Sequence, residues 1–286
     1  MINQTIAIWD NTGYTPQANE LQPTLTTYVL DYSPEMPHHD KRPAVLICPG
    51  GGYFLTSDRE AEPVAMRFAA AGFHAFVLRY RTTPARHPSP LLDVSRAMWI
   101  IRENAHQWHV DTDRIAVCGF SAGAHLAGSL GVFWHQEWIS KTIEMPRGIN
   151  KPNALILSYP VITSGKFAHR GSFENLLGKD ASRELLDSMS LELHVSKLTP
   201  PTFLWHTFDD EAVPVENSLL FANALRKQGI PFELHIYPEG QHGLSLCDKE
   251  TAANYGELKD WVNHHAASWF NLCVEWLNDK AFCTTP

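Results

Sequence analysis

The sequence has little positive charge and no long apolar run. Its 286 residues carry 23 Lys and Arg against 31 Asp and Glu, and this net charge of −8 argues against a nucleic-acid or anionic-membrane partner, since both need a basic patch. No stretch reaches the roughly 18 apolar residues of a membrane span, so we predict no membrane partner. The opening MINQTIAIWDNTGY lacks a basic segment followed by a long apolar one, so we expect no signal peptide and a cytoplasmic protein.

Cysteine is scarce as well, and metal-site motifs are absent from the sequence. The five cysteines are an odd number without disulfide-like spacing. Cys48 and Cys118 lie within apolar, strand-like runs, which favours reduced thiols in the core. The chain has no H-E-x-x-H and no paired C-x-x-C, so we predict neither a metal nor a cofactor. The oligomeric state, a homo-oligomer included, stays open.

Short apolar runs alternate with helical patterns along the chain. The runs are 44–48, 74–80, 114–120, 154–162, 202–208 and 232–238. Most of them are continuous rather than alternating apolar sequence, as expected of parallel strands buried on both faces. Helices are predicted from Ser89-Pro90 to Trp108, from Val215 to a stop at Gly229, and over about 250–279.

This alternation predicts one α/β domain over residues 1–286, with a single doubly wound, mostly parallel sheet and helices on both faces. Near the start of the chain, TIAIW and TLTTYVLDY are expected to form antiparallel edge strands. The segment 163–201 separates two strands by more than an ordinary loop. Its helix-like part, SRELLDSMSLE, predicts a small lid-like insertion.

A candidate nucleophile follows one of the buried runs. GFSAG at 119–123 matches G-x-S-x-G between a strand and a small-residue helix, which is the setting of a nucleophile elbow, so Ser121 is the predicted nucleophile. The serine of such an elbow occupies a strained turn. Gly119 and Gly123 let the strand and the helix approach each other there.

Three consecutive glycines follow an earlier run, in CPGGGY. Ligands of such sheets bind at the carboxyl ends of strands, where this turn is expected. The turn matches neither a P-loop nor the dinucleotide pattern G-x-G-x-x-G, so a phosphate site loses its support. Negative charge does develop on a carbonyl oxygen, such as that of an ester, when Ser121 attacks the carbonyl carbon. We therefore predict an oxyanion hole made by the backbone N–H groups of Gly51, Gly52 and Ala122.

A serine hydroxyl also needs a base, and the base needs an orienting carboxylate. On this type of fold the order along the chain is Ser, then Asp or Glu, then His. His242, in EGQHGLSL, follows the last strand and is the predicted base, whereas His206 lies inside a strand. The segment DDE follows the preceding strand, and the residues alone leave Asp209, Asp210 and Glu211 open as the carboxylate.

Together these motifs resemble the α/β-hydrolase serine esterases. CPGGGY, GFSAG, WHTFDDEAVPVENS and EGQHGLS resemble, in order, the bacterial carboxylesterases related to acetylxylan esterases and, more distantly, to hormone-sensitive lipase. The family pattern H-G-x-x-D-x-x-V-P then begins at His206 and ends at Pro214, which selects Asp210 as the triad acid. The resemblance implies the same oxyanion donors. Pro49 departs from it, because many relatives have a histidine there that can brace the loop.

The resemblance implies a serine carboxylesterase that acts on a small-molecule, short-acyl ester, with an acetylated sugar as the preferred class. Two alternatives remain. A serine peptidase of the prolyl-oligopeptidase type shares the triad order, although no large peptide-selecting domain fits this length. A non-catalytic binding protein on the same fold would usually lack a triad member. Tyr53, Phe54 and Phe208, near strand ends, are candidates for the pocket wall or for ordinary packing.

Overall fold

The computed structural model describes residues 1–10, 12, 21–37 and 40–282, so Cys283 and the pair His38-His39 lie outside the described residues. The strands are β1 Thr5–Ala7, β2 Thr24–Tyr28, β3 Arg42–Cys48, β4 His74–Arg79, β5 Val110–Phe120, β6 Ala154–Ser158, β7 Thr202–Thr207 and β8 Phe232–Tyr237. The helices are α1 Glu62–Ala70, α2 Ser89–Glu103, α3 Ala122–Phe133, α4 Glu137–Thr142, α5 Arg170–Leu177, α6 Arg183–Ser188, α7 Glu216–Gln228, α8 Leu258–Trp261 and α9 Trp269–Trp276.

The strands form one eight-stranded sheet in the order β1-β2-β4-β3-β5-β6-β7-β8. β1 and β2 pair antiparallel at one edge, and all pairings from β4 to β8 are parallel. The predicted doubly wound, mostly parallel sheet with antiparallel edge strands is therefore confirmed. Its central strands end at the same edge, so the turns after β3, β5, β7 and β8 meet there.

The two faces of the sheet carry separate hydrophobic cores. One core includes Leu91, Leu130 and Phe221, from α2, α3 and α7. The other includes Phe68 and Trp269, from α1 and α9. Burial of β6 along its whole length explains why the strand is continuously apolar rather than alternating. Helices on both faces thus confirm the predicted layers, and Cys48, Cys118, Cys247 and Cys273 are free and buried, as predicted for reduced core thiols.

Two predicted boundaries were wrong. The helix predicted to run from Ser89 to Trp108 ends at Glu103, because the Asn104 side chain donates to the Ile100 carbonyl (2.8 Å) and closes the last turn. The second boundary concerns a strand: the strand predicted over 154–162 ends at Ser158. Its next residue has a φ of 35°, and Pro160, which follows, has no N–H for a ladder.

Residues 163–201 contain α5, α6 and a turn of 3-10 helix at Leu191–Leu193. The predicted helical tail is divided into α8, a 3-10 turn at Ala266–Ser268, α9 and a π-helical end at Leu277–Ala281. Within the described ranges, no helix is both long and apolar enough to cross a bilayer.

Candidate active site

Ser121 lies in the sharp turn between β5 and α3. Its φ of 52° and ψ of −119° are strained for a residue with a side chain, and only 7% of its surface is exposed. A Cβ on Gly119 would lie 2.2 Å from the Gly123 carbonyl oxygen, and one on Gly123 would lie 2.1 Å from the Cys48 carbonyl oxygen. Bare backbone at both positions is therefore what allows β3, β5 and α3 to converge on Ser121.

This crowding makes a prediction about stability. Gly123→Ala should lower the free energy of unfolding by about 3 kcal/mol or more, because the overlap involves backbone atoms that cannot move aside. Gly229→Ala is the matched control: its φ is 72° but nothing lies within 4 Å of a Cβ there, so only about 1–2 kcal/mol of backbone strain is expected. Urea unfolding of the two variants compares them, and equal losses would contradict the packing argument.

His242 reaches the serine from the loop after β8. Its Nε2 lies 2.8 Å from Ser121 Oγ, and its Nδ1 lies 2.6 Å from Asp210 Oδ2. The ring packs edge-on against the buried Tyr159 ring, with centroids 5.1 Å apart. The structure thus brings the predicted Ser121, Asp210 and His242 into one hydrogen-bonded chain, from loops far apart in sequence.

Asp210 is held in a fully buried position after β7. Its Oδ1 accepts the backbone N–H groups of Ala212 (3.0 Å) and Val213 (2.9 Å). Burial by itself would raise the pKa of Asp210, but hydrogen bonds from His206, His242 and the Val213 N–H outweigh it and hold the pKa well below its ordinary value. The carboxyl is therefore ionised near neutral pH.

The two carboxylates next to Asp210 are exposed, unlike Asp210 itself. Asp209 is exposed, and its Oδ1 accepts the Gly240 N–H at 2.7 Å. Glu211 is exposed too. The structure therefore distinguishes these three adjacent acidic residues, which the residue pattern alone could not do.

His206, which was predicted to be an ordinary strand residue, contacts the Asp210 carboxylate. It is completely buried, and its Nε2 lies 2.9 Å from the Val213 carbonyl oxygen and 3.4 Å from Asp210 Oδ2. Its Nδ1 lies 2.8 Å from Ser218 Oγ. The signal that could have found it was its place as the first residue of the H-G-x-x-D pattern.

The triple-glycine turn lies directly against the serine. A Cβ on Gly50 would be 3.0 Å from Ser121 Cβ, and Gly51 and Gly52 have φ values of 127° and 64°. Within the described part of the chain, the N–H groups of Gly51, Gly52 and Ala122 donate to no acceptor. Their role as oxyanion donors stays a prediction, which the lack of an acceptor for these N–H groups supports.

A narrow cavity beside this turn has about 110 Å³ of empty space and is too tight to admit a water-sized sphere. It is lined by Tyr53, His125, Val161, Ser172, Phe173 and Leu176. Val161 donates its N–H to the Ser121 carbonyl oxygen (3.2 Å), and the Ser172 hydroxyl lies 3.9 Å from where a Cβ of Gly52 would be. The cavity therefore lies close to the Ser121 backbone and to the triple-glycine turn of Gly50, Gly51 and Gly52, here called the oxyanion turn. Of the aromatic candidates, Tyr53 lines it, whereas Phe54 and Phe208 are 65% and 69% exposed.

Two buried groups close to the candidate active site were not predicted from the sequence. Glu60 follows a polar stretch that reads as a surface loop, yet it is only 3% exposed. Tyr159 falls in a segment predicted as strand, and its hydroxyl donates to Glu60 Oε1 at 2.7 Å. Among the described residues, no group of three or more His, Cys, Asp or Glu side chains could hold a metal ion.

Comparison with known proteins identifies a family and several relatives of this chain. The model of the family described as BD-FAE matches residues 30–225, which include Ser121 and Asp210 and end before His242. The chain is 41% identical over 250 residues to endo-1,4-beta-xylanase B of Butyrivibrio fibrisolvens and 31% identical over 217 residues to the acetylxylan esterase of Xylanibacter ruminicola. These matches cover 85% and 74% of this chain but only 38% and 43% of the two relatives, so the chain spans less than half of their length.

Two solved structures match over almost their whole length. The acetyl ester-xyloside bifunctional hydrolase of Caldicellulosiruptor lactoaceticus has a TM-score of 0.83 and 38% identity, over 98% of this chain and 97% of that one. The carboxylesterase Cest-2923 of Lactobacillus plantarum has a TM-score of 0.82 and 27% identity, over 100% and 99%. These matches confirm the predicted α/β-hydrolase fold.

Proposed function

The chain belongs to the BD-FAE family, and from that premise we propose that it is a serine carboxylesterase that hydrolyses short-acyl esters, acetyl esters above all. The observation that carries the proposal is the hydrogen-bonded chain from Ser121 through His242 to Asp210 beside unpaired backbone N–H donors. Structural neighbours that match over nearly the whole chain are named as a hydrolase of acetyl esters and as a carboxylesterase, which supports the same reaction class.

In the proposed reaction, Ser121 Oγ attacks the ester carbonyl carbon while His242 Nε2 takes the hydroxyl proton. Asp210, ionised and hydrogen-bonded to Nδ1, fixes the tautomer and stabilises the imidazolium that forms. The imidazolium then returns the proton to the departing alcohol oxygen, which leaves an acyl-serine. A water molecule, deprotonated by His242, attacks the acyl carbon; the C–Oγ bond then breaks, and the imidazolium returns the proton to Ser121 Oγ as the carboxylic acid leaves.

The N–H groups of Gly51, Gly52 and Ala122 are the proposed donors to the carbonyl oxygen. Charge on that oxygen is greatest in the tetrahedral intermediate, so fixed donors stabilise the transition state more than the bound ester. Their fixed conformation supports this role. The Gly51 carbonyl accepts the N–H groups of Phe54 (2.9 Å) and Leu55 (3.1 Å), which closes the turn.

The acyl group is proposed to enter the cavity beside the turn. Its roughly 110 Å³ of empty space admits no water-sized sphere, and so tight a space favours the smallest acyl group, acetyl. The segment 163–201 is the proposed lid. Its α5 supplies Phe173 and Leu176 to the cavity wall, and Asn175 Nδ2 donates to the Gly52 carbonyl oxygen at 2.9 Å.

We propose an acetylated sugar as the substrate, so that the sugar is the alcohol half of the ester. Relatives and neighbours named acetylxylan esterase and acetyl ester-xyloside hydrolase support this class. No cofactor enters the proposed reaction.

The cavity predicts acyl-chain selectivity. With p-nitrophenyl esters, kcat/KM should be greatest from acetyl to butyryl and should fall beyond roughly eight carbons, since each methylene outside the cavity loses about 0.8 kcal/mol of burial. A panel from acetyl to palmitoyl esters, extended with acetylated xylo-oligosaccharides, measures it. A maximum at palmitoyl would contradict the small-cavity assignment, and faster turnover of an aminoacyl amide than of the acetyl ester would favour a peptidase.

A further inference from the structure

Glu60 is a buried carboxylate next to the candidate active site, and it takes no part in the proposed reaction. Glu60 ends a 3-10 turn before α1 and is 3% exposed. Its Oε2 accepts the Gly50 N–H at 2.7 Å, and its Oε1 accepts the Tyr159 hydroxyl at 2.7 Å. Each oxygen of this carboxylate thus has one donor, and one of the two donors belongs to the oxyanion turn.

The second donor leads to the histidine loop. The Tyr159 hydroxyl accepts the backbone N–H of Ser245 at 2.9 Å, and Ser245 is three residues beyond His242. The Tyr159 ring also packs edge-on against the His242 ring. Tyr159 therefore contacts the His242 loop at two points, one through its hydroxyl and one through its ring.

Arg59, the residue before Glu60, also hydrogen-bonds to the loop that carries His242. Arg59 donates its guanidinium to the carbonyl oxygens of Gly243 and Thr251, and the Ser245 hydroxyl donates to the Arg59 carbonyl oxygen at 2.7 Å. Residues 59–60 are thus attached to the loop after β8 by both side chains and backbone. A displacement of this short segment would move the loop with it.

Burial raises the pKa of Glu60, although hydrogen bonds from Tyr159 and Gly50 and the charges of His242 and Arg59 act in the opposite direction. A buried carboxyl is costly unless its oxygens are satisfied. Here both donors belong to the walls of the candidate active site, so the groups that satisfy the carboxyl are also the groups whose positions the reaction requires.

The turn itself needs such a contact. Pro49 precedes the three glycines, and a proline has neither a side-chain hydrogen-bonding group nor a backbone N–H to anchor the turn. The turn is instead attached at its start by the Tyr80 hydroxyl, which donates to the Pro49 carbonyl oxygen at 2.7 Å. It is attached at its end by the Tyr53 hydroxyl, whose oxygen lies 2.8 Å from His125 Nδ1. Between these two points the turn is held by Glu60, which accepts the Gly50 N–H, and by Asn175, which donates to the Gly52 carbonyl oxygen.

We propose that Glu60 is a positioning residue for ester hydrolysis: one carboxylate sets the spacing between the oxyanion turn and the His242 loop. Its two oxygens hold Gly50 on one side and, through Tyr159, the Ser245 backbone on the other. This inference rests on the proposed esterase function. It assigns Glu60 no contact with the reacting atoms.

Glu60→Gln tests the role with little change of shape. The amide keeps one acceptor of two, and its NH₂ group must face either the Gly50 N–H or the Tyr159 hydroxyl. We expect kcat on p-nitrophenyl acetate to fall by about 10- to 100-fold with KM changed less than about threefold, because small displacements of reacting groups cost rate rather than ground-state binding. Affinity for a methyl trifluoromethyl ketone, which adds to the serine and places an oxyanion in the hole, should fall in parallel with kcat/KM.

The matched control is Glu62→Gln, two residues further along and exposed. It removes the same charge without touching the turn, so its kcat should equal that of the parent. The melting temperature of each variant separates a positioning role from a structural one. If Glu60→Gln only lowers the melting temperature, with kcat per folded molecule and ketone affinity unchanged, the proposal is wrong.

Tyr159→Phe tests the link to the histidine loop. The ring and its packing against His242 remain, but Ser245 N–H and Glu60 Oε1 lose their partner. We expect a loss in kcat of roughly threefold to tenfold, and the double variant with Glu60→Gln should be slower than Glu60→Gln alone by less than that factor, because the two changes break one connection. Fully multiplicative losses would contradict the coupling.

An inactive parent protein on every ester would overturn the proposed function itself. An active parent whose Glu60 and Tyr159 variants match it would overturn only this inference.

Discussion

Ser121→Ala is expected to lower kcat for acetyl esters by roughly 10⁴-fold or more while the fold stays intact. The substitution removes the only atom that the proposed reaction attaches to the acyl group, and neither His242 nor the oxyanion donors can replace it. Steady-state kinetics on p-nitrophenyl acetate, with circular dichroism as the check on folding, measures the effect. A variant that keeps a tenth of the parent activity would contradict the serine mechanism.

Ser129→Ala is the control within the same helix. The Ser129 hydroxyl is buried and has no hydrogen-bond partner among the described residues, so its removal should leave kcat unchanged. A fluorophosphonate probe should label the parent and the Ser129 variant, and should fail to label the Ser121 variant. Labelling would also separate an enzyme from a non-catalytic binding protein on the same fold.

Asp210→Asn is expected to lower kcat by about 10³- to 10⁴-fold. An asparagine can present its NH₂ group to His242 Nδ1, which would stabilise the wrong tautomer and leave Nε2 unable to accept the serine proton. The neighbouring changes should lose less than about tenfold: Glu211 is exposed, and an asparagine at position 209 keeps a carbonyl oxygen for the Gly240 N–H. The three variants are compared on one acetyl ester.

A dead Asp209→Asn enzyme beside an active Asp210→Asn enzyme would contradict the assignment of the acid. The pH dependence of stability gives a separate check. Because the pKa of Asp210 is lowered in the folded state, its contribution to stability is present above the ordinary pKa of an aspartate and is lost as the pH falls below it. The acid-unfolding curve of Asp210→Asn should therefore be shallower than that of the parent.

The sequence determined the parts of this protein that depend on neighbouring residues. Continuous apolar runs predicted the buried parallel strands, because a strand covered on both faces has no solvent side to mark with polar residues. The elbow glycines were readable for a similar reason. Gly119 packs against Gly123 and Ala124, within and directly after the motif, so the local pattern G-x-S-x-G carries that part of the constraint.

Only the tertiary structure decided which side chains meet across long separations. Asp209, Asp210 and Glu211 differ in the direction of their side chains after β7, and family resemblance rather than residue pattern had selected among them. Glu60 reads as a surface residue because the sequence around it is polar. Its burial depends on Gly50 and Tyr159, which the crossovers of a parallel sheet bring to it from 10 and 99 residues away. Contacts at such distances leave no periodic signal in the chain. The same holds for the cavity beside the oxyanion turn, which α5 helps to line.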